Sequence, residues 1–287
     1  MVALLAAVAV VVWITYARLP ASELYNVSGT GFRAGASRAL VFLDFPAALI
    51  GVALAALVAD RRRSRAWTGA SIAAIVLTAV IFWPGVVKQS DLDARPVNAL
   101  PAIGVALAAA LTLAAPWLPK VIPSLTGDIV RLVLGVVIVL AAVPWIAADL
   151  GFSFNGVPVL GTLYQTGELR HQPGLTGLHR AVHHGHHHGM DGTLLVLSAL
   201  LLSRRLGAVS RPAVRVAVSL YLALMLAYGF ANALEDFWLE QIVKRGWTGW
   251  TLPSMLNPTL SWGWAAIIAG AAAIWLGWFR RERPAAD

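Results

Sequence analysis

Long apolar runs dominate this sequence, and about 20 such residues are what an α-helix needs to cross the hydrocarbon core of a bilayer. Only 13% of the 287 residues are charged, against roughly 25% in an ordinary soluble domain. This balance excludes a soluble globular domain, a disordered segment and, despite the net charge of +8, a nucleic-acid-binding module. We predict an all-α, polytopic integral membrane helix bundle with about eight transmembrane helices. This single transmembrane domain, residues 1–287, has predicted spans near 1–17, 38–60, 66–84, 99–119, 129–149, 191–207, 213–235 and 261–279.

Arginine clusters between the spans determine the predicted orientation, because basic residues concentrate in the cytoplasmic loops of membrane proteins. With an even number of spans, the clusters that follow spans two, six and eight all lie on one face. Both termini are then cytoplasmic, and the first apolar run is expected to be a retained helix rather than a signal peptide. Segments 150–190 and 236–261 are then extracytoplasmic. The clusters comprise Arg61, Arg62, Arg63 and Arg65, then Arg204, Arg205, Arg211 and Arg215, and finally Arg280, Arg281 and Arg283.

All seven histidines fall between positions 171 and 188, in the string HQPGLTGLHRAVHHGHH and the residue after it. The chain has no cysteine, so a metal ion would be held by imidazole and carboxylate groups. In a helix, residues 179, 183 and 187 would share one stripe, although two short turns would present the ligands equally well. A solvated loop without metal is the alternative. The predicted ligands of a transition metal (Fe, Cu or Zn) are His179, His183, His184, His186, His187, His188 and Asp191.

Carboxylates gather on the predicted face of the histidine segment. Glu235 and Asp236 end span seven there, and a carboxylate that does not bind the metal can act as general acid or base. Asp44 lies inside span two, where an ionisable group is costly and usually functional or paired. The candidate catalytic residues are therefore Glu235, Asp236 and Asp44. For Asp44, an ion pair with Arg33 or Arg38 is the alternative.

Two further features bear on function. The loop 236–261 is rich in tryptophan, which is typical of an anchoring belt at the membrane interface and is also compatible with a lid over the metal site.

The middle of the predicted spans holds few polar groups, whereas ion pathways normally carry ionisable or carbonyl ligands near the midplane. This weakens a transport function, unless Pro46 or Pro144 frees backbone carbonyls.

The string HRAVHH at 179–184 resembles the HxxxHH histidine boxes of membrane di-iron desaturases and hydroxylases. Those enzymes distribute their boxes over several segments that face the cytoplasm, whereas here every histidine lies in one predicted extracytoplasmic stretch. The resemblance covers six residues, and the sequence is assigned to no family.

We predict a metal-dependent membrane enzyme with its site at the extracytoplasmic interface. Its substrate would be a lipid or another small apolar molecule, and oxidoreductase chemistry is favoured over hydrolysis. The alternative is a metal-handling membrane protein, meaning a transition-metal transporter, a sensor or an accessory subunit. A pH-responsive scaffold is a third possibility, since clustered histidines gain charge as pH falls through about 6.5.

Overall fold

The long apolar runs form helices in the computed structural model, which describes residues 1–20, 23, 29–83, 93–115, 124–171, 176–184 and 188–282. The all-α class is confirmed, with one two-stranded hairpin added to the helical bundle. The helices are α1 (Val2–Arg18), α2 (Gly31–Asp44), α3 (Pro46–Arg61), α4 (Arg65–Thr78), α5 (Ala99–Ala114), α6 (Asp128–Ala141), α7 (Val143–Asp149), α8 (Leu160–Leu163), α9 (His188–Ser203), α10 (Pro212–Trp238) and α11 (Trp262–Ile274).

Four helical units in the described ranges are long and apolar enough to cross a membrane. Two bent pairs, α2 with α3 and α6 with α7, raise the number to six if each pair is one span. The remaining apolar helices, α1 and α9, are shorter than 18 residues. The chain is thus a multi-pass helical membrane protein. The four units are Arg65–Phe82, Pro96–Ala114, Pro212–Val243 and Trp262–Phe279.

Both bent pairs break at a proline. Pro46 is the first residue of α3, and the axis turns by 45° between α2 and α3. Pro144 lies in the first turn of α7, and the axis turns there by 55°. Proline has no N–H and its ring clashes with the carbonyl four residues earlier, so each break follows directly from the sequence.

The centre of the bundle is the antiparallel pair α9 and α10, packed against α3. A Cβ atom added to Gly192 would lie 2.5 Å from the carbonyl oxygen of Gly229 and 2.8 Å from the backbone nitrogen of Ala233. A Cβ atom at Gly229 would lie 2.7 Å from the carbonyl oxygen of Gly192. Only glycine permits this distance between two backbones, which is how small residues bring membrane helices together.

Ion pairs tie five helices together at one end of the bundle, which we call the arginine end. Asp60, at the end of α3, accepts hydrogen bonds from the backbone of Ser210 and Arg211 and pairs with the Arg211 guanidinium at 3.0 Å. Arg131 of α6 donates two hydrogen bonds of 2.6 Å to Glu282, which follows α11. Arg204, which follows α9, pairs with Asp128 of α6 at 2.9 Å. The ends of α3, α9 and α11 therefore meet the starts of α6 and α10, as expected for helices that alternate in direction.

The opposite end, which we call the histidine end, carries the connection between α7 and α9. Its two strands, β1 (Leu169–His171) and β2 (Leu178–Arg180), pair antiparallel. The guanidinium of Arg245 holds this connection against the bundle, donating to the carbonyl oxygens of Thr162 and Leu163 and to Glu168. Burial lowers the pKa of Arg245, and the Glu168 carboxylate acts in the opposite direction.

The segment predicted as a tryptophan-rich loop from residue 236 is helical over its first part. Helix α10 extends to Trp238 and continues as a π-helical turn over Leu239–Val243. Helix α10 therefore continues beyond residue 235, where span seven was predicted to end. Glu235 and Asp236 lie inside a helix rather than at its end.

Candidate functional site: a histidine between two buried carboxylates

His188 lies between two carboxylates at the histidine end. Its Nε2 atom is 2.8 Å from Oε2 of Glu235, and its Nδ1 atom is 3.1 Å from Oδ1 of Asp236. The carboxylates are buried, while the imidazole keeps about 22% of its side chain exposed. The imidazole of His188 on α9 thus contacts two adjacent acids of α10.

The local sequence also explains how the first described turn of α9 is held against α10. The other carboxylate oxygen of Asp236, Oδ2, accepts the backbone N–H of Gly189 at 3.0 Å, which satisfies one of the free donors in the first turn of α9. A Cβ atom at Gly189 would overlap both this oxygen and the indole of Trp145. Glycine is therefore required where α7, α9 and α10 converge.

The charges around His188 favour its protonated form. His188 is the first described residue of α9 and lies outside the helices that are long enough to span a membrane. Burial alone would lower its pKa, but the carboxylates of Asp236 and Glu235 outweigh burial and raise the pKa of His188 to about 9. Glu240, one turn beyond Asp236 on the π-helical extension of α10, acts in the same direction.

Further buried carboxylates lie at the same end. Asp191 is one turn after His188 on α9, and Asp149 is one turn after Trp145 on α7; both are less than 5% exposed. Glu240 is also buried and pairs with Lys244 at 3.4 Å. The site is therefore a concentration of acidic groups withdrawn from solvent, which normally requires cations nearby.

Residues 181–184 of the histidine segment pack into the protein instead of extending into solvent. Ala181 and Val182 have no exposed surface, and His184 is 8% exposed. His179 lies in β2, where its Nε2 is 3.0 Å from the carbonyl oxygen of Thr176, and His183 is half-buried. Helical spacing does not apply to 179–184, because residues 178–180 form β2 and residues 181–184 are not helical. The predicted ligands His186 and His187 lie outside the described residues.

Asp44 belongs to a different group of contacts. It is fully buried at the break between α2 and α3, and its carboxylate accepts a hydrogen bond from the side-chain amide of Asn98 before α5. Within the described chain it makes no ion pair with Arg33 or Arg38; the Arg38 guanidinium stacks on the ring of Tyr16. The structure brings Glu235 and Asp236 to His188, but not Asp44.

Trp145 is a site residue that the sequence did not indicate. Its side chain is fully buried against Gly189 and Phe237, and among the described residues its indole N–H has no hydrogen-bond partner. Nothing distinguishes it in the sequence from the other tryptophans near predicted span ends. Glu240 could have been identified from the sequence if the helix of span seven had been continued past Asp236, because Glu240 follows Asp236 by one helical turn.

Among the described residues, no group of three or more His, Asp or Glu side chains is arranged to hold a metal ion. Comparison with known proteins gives no match: no protein-family model, no curated protein and no solved structure is similar to this chain. The fold and the site are therefore interpreted from their own chemistry.

Proposed function

We propose that this protein is a metal-dependent integral membrane enzyme whose site lies at the extracytoplasmic interface and acts on an apolar or lipid-like substrate. The observation that carries the proposal is the position of His188 between Glu235 and Asp236, next to the packed part of the histidine segment. A transition metal at this end would neutralise buried carboxylates and take imidazole ligands that lie close in the chain.

Each group has a role in this proposal. His188 would offer Nε2 to the metal and keep Nδ1 hydrogen-bonded to Asp236, an arrangement that orients a ligating histidine from behind. His184 and Asp191 would be further ligands, together with the predicted ligands His179, His183, His186 and His187. Glu235, released from Nε2, would serve as general base or acid. The indole N–H of Trp145 would donate to a bound group.

The metal would supply a Lewis acid or a redox centre. Iron or copper would support oxidation, and zinc would support hydrolysis. We favour oxidation where the metal is iron or copper, because these ions change oxidation state and zinc does not.

Metal content tests this proposal directly. Protein purified without a histidine tag or a metal column is expected to contain one or two equivalents of Fe, Cu or Zn, measured by elemental analysis. His188→Ala removes the central imidazole, and Glu235→Gln keeps the shape of the side chain but removes its charge. His188→Ala is expected to lose most of the metal, whereas Glu235→Gln is expected to retain it, because Glu235 is assigned to proton transfer and not to metal binding. The matched control is His171→Ala, which changes an exposed histidine of the same segment outside the predicted ligand set.

Two results would contradict the enzyme proposal. If wild-type protein binds no stoichiometric metal even after reconstitution, the enzyme proposal is contradicted. Several weakly bound ions that persist in every single variant would instead support the alternative of a metal-handling protein. The excess of histidines over the roughly three ligands of a catalytic site favours that alternative. Far-UV circular dichroism and thermal unfolding of each variant exclude loss of fold as the cause.

We also propose that α1, the two bent pairs and α9 each span the bilayer, giving about eight spans with both termini cytoplasmic. The contacts at the arginine end support this alternation. Because the chain has no cysteine, single exposed cysteines report sidedness without background. Thr176→Cys is expected to react with a membrane-impermeant maleimide in intact cells, and Ser64→Cys only after permeabilisation. The reverse pattern would invert the orientation, and labelling of both from outside would contradict the alternation.

A further inference from the structure

A cavity of about 440 Å³ lies between α3, the segment that follows α4, α10 and the start of α11. Its size falls within the roughly 300–1,000 Å³ of small-molecule sites. Six side chains describe its shape. Leu49, Tyr221 and Met225 line the part nearer the arginine end, which we call the deep part. Trp83, Asn257 and Trp264 line the part nearer the histidine end.

Hydrogen bonds fix the walls of this cavity and leave its interior apolar. The hydroxyl of Tyr221 donates to the carbonyl oxygen of Leu49 at 2.8 Å, and the hydroxyl of Tyr228 donates to that of Leu256 at 2.7 Å. The Tyr228 ring also packs against Phe45 and Trp264. A buried water needs two to four polar partners, and both tyrosine hydroxyls are already engaged. The deep part therefore suits hydrocarbon better than water.

The cavity has one apolar end and one polar end. From Tyr221 to Tyr228 it follows α10 for seven residues, or about 10 Å at 1.5 Å per residue. Trp83 is 71% exposed and Phe82 57% exposed where α4 ends, so the cavity opens sideways at the depth where tryptophan prefers the membrane interface. Asn257 supplies a polar side chain at this level. The shape matches an amphiphile whose chain points into the membrane.

We infer that this cavity binds one hydrocarbon chain of a phospholipid from the leaflet at the histidine end, with the chain beside Tyr221 and the polar part beside Asn257. Binding of the chain does not require a metal and goes beyond the proposed function. The assignment of the same amphiphile as substrate rests on the proposed function. It is supported by helical spacing, since residues 228, 232 and 235 form one stripe of α10 and Glu235 lies two turns beyond Tyr228.

Photo-crosslinking in proteoliposomes tests the inference. The probe is a phosphatidylcholine that carries a diazirine near the end of one acyl chain, and adducts are mapped by mass spectrometry of peptides. Adducts at Leu49, Tyr221 and Met225 are expected to exceed, several-fold, those on Val133 and Val137 of α6, which are exposed on the outside of the bundle.

A matched pair of variants separates binding in the cavity from contact with bulk lipid. Leu224→Trp places an indole at a partly exposed residue of the lining and is expected to reduce the cavity adducts several-fold. Leu220→Trp makes the same change one turn earlier on α10, at a similarly exposed position outside the lining, and is expected to leave them unchanged. Equal labelling of the cavity and of α6, or equal behaviour of the two variants, would overturn the inference.

The result is independent of the metal. Labelling is measured in metal-free and in metal-loaded wild-type protein, and the cavity adducts are expected in both. If cavity adducts are absent from protein with normal metal content, lipid binding in the cavity is contradicted and the proposed metal site is not affected. Loss of the metal proposal with normal crosslinking would leave a lipid-binding membrane protein without the proposed chemistry.

Discussion

Gly192→Ala is expected to destabilise the protein strongly and to disrupt the site at the histidine end. The added Cβ would lie 2.5 Å from the carbonyl oxygen of Gly229 and 2.8 Å from the nitrogen of Ala233, and both are backbone atoms. Overpacking usually costs about 1–3 kcal/mol, and we expect the upper part of this range because backbone cannot rotate away as a side chain does. Thermal unfolding in detergent measures the loss.

The same substitution is expected to affect metal content. Gly192 follows His188 by one helical turn, so moving α9 away from α10 at Gly192 lengthens the contacts of His188 with Glu235 and Asp236. Both the unfolding temperature and the metal occupancy should therefore fall in Gly192→Ala.

Gly69→Ala is the matched control for this prediction. Gly69 is also inside a helix, and a Cβ atom there meets nothing within 4 Å. Alanine favours helix over glycine by roughly 1 kcal/mol, so this variant should be as stable as the wild type or slightly more stable. Equal stability of the two alanine variants would contradict the close approach of α9 and α10.

Arg131→Met is expected to cost about 3–5 kcal/mol, because removing one partner of a buried ion pair leaves the other charge uncompensated. Arg131 is 6% exposed, binds both carboxylate oxygens of Glu282 and donates to Ser203 at 3.0 Å. Its guanidinium also stacks on Trp278, with the central carbon 5.0 Å from the ring centre. Thermal or denaturant-induced unfolding in micelles measures the effect.

Two further variants make the Arg131 prediction specific. Arg131→Met with Glu282→Gln removes both charges, and it should recover much of the stability that the single variant loses. Arg170→Met removes an exposed arginine whose partner Glu168 keeps its contact with Arg245, so it should change stability by no more than about 1 kcal/mol. A double variant no more stable than Arg131→Met would show that the guanidinium acts through its other contacts. Metal content should not change in folded Arg131→Met, because the pair lies at the arginine end.

The position of the candidate site was only partly predictable. Residues 235 and 236 were identified because two adjacent acids near the end of an apolar run are conspicuous. Their partner was assigned to a set of seven ligands, and the sequence could not distinguish His188 from its neighbours. Trp145 was not identified at all, since its contact with Gly189 depends on how α7 meets α9 after the bend at Pro144.

The sequence by itself determined three features, because each depends on a local property. The helical membrane class follows from hydrophobicity over one helix length, and the bends follow from the missing N–H of proline. The segregation of arginines follows from charge next to an apolar run. Only the tertiary structure decided that His188 contacts acids 47 and 48 positions later and that Asp44 accepts a hydrogen bond from Asn98. Only it showed that residues 181–184 are packed and that α10 continues past Asp236. Such contacts depend on which faces of the helices meet. Here the facing glycines of α9 and α10 set that arrangement by bringing two backbones closer than any side chain would allow.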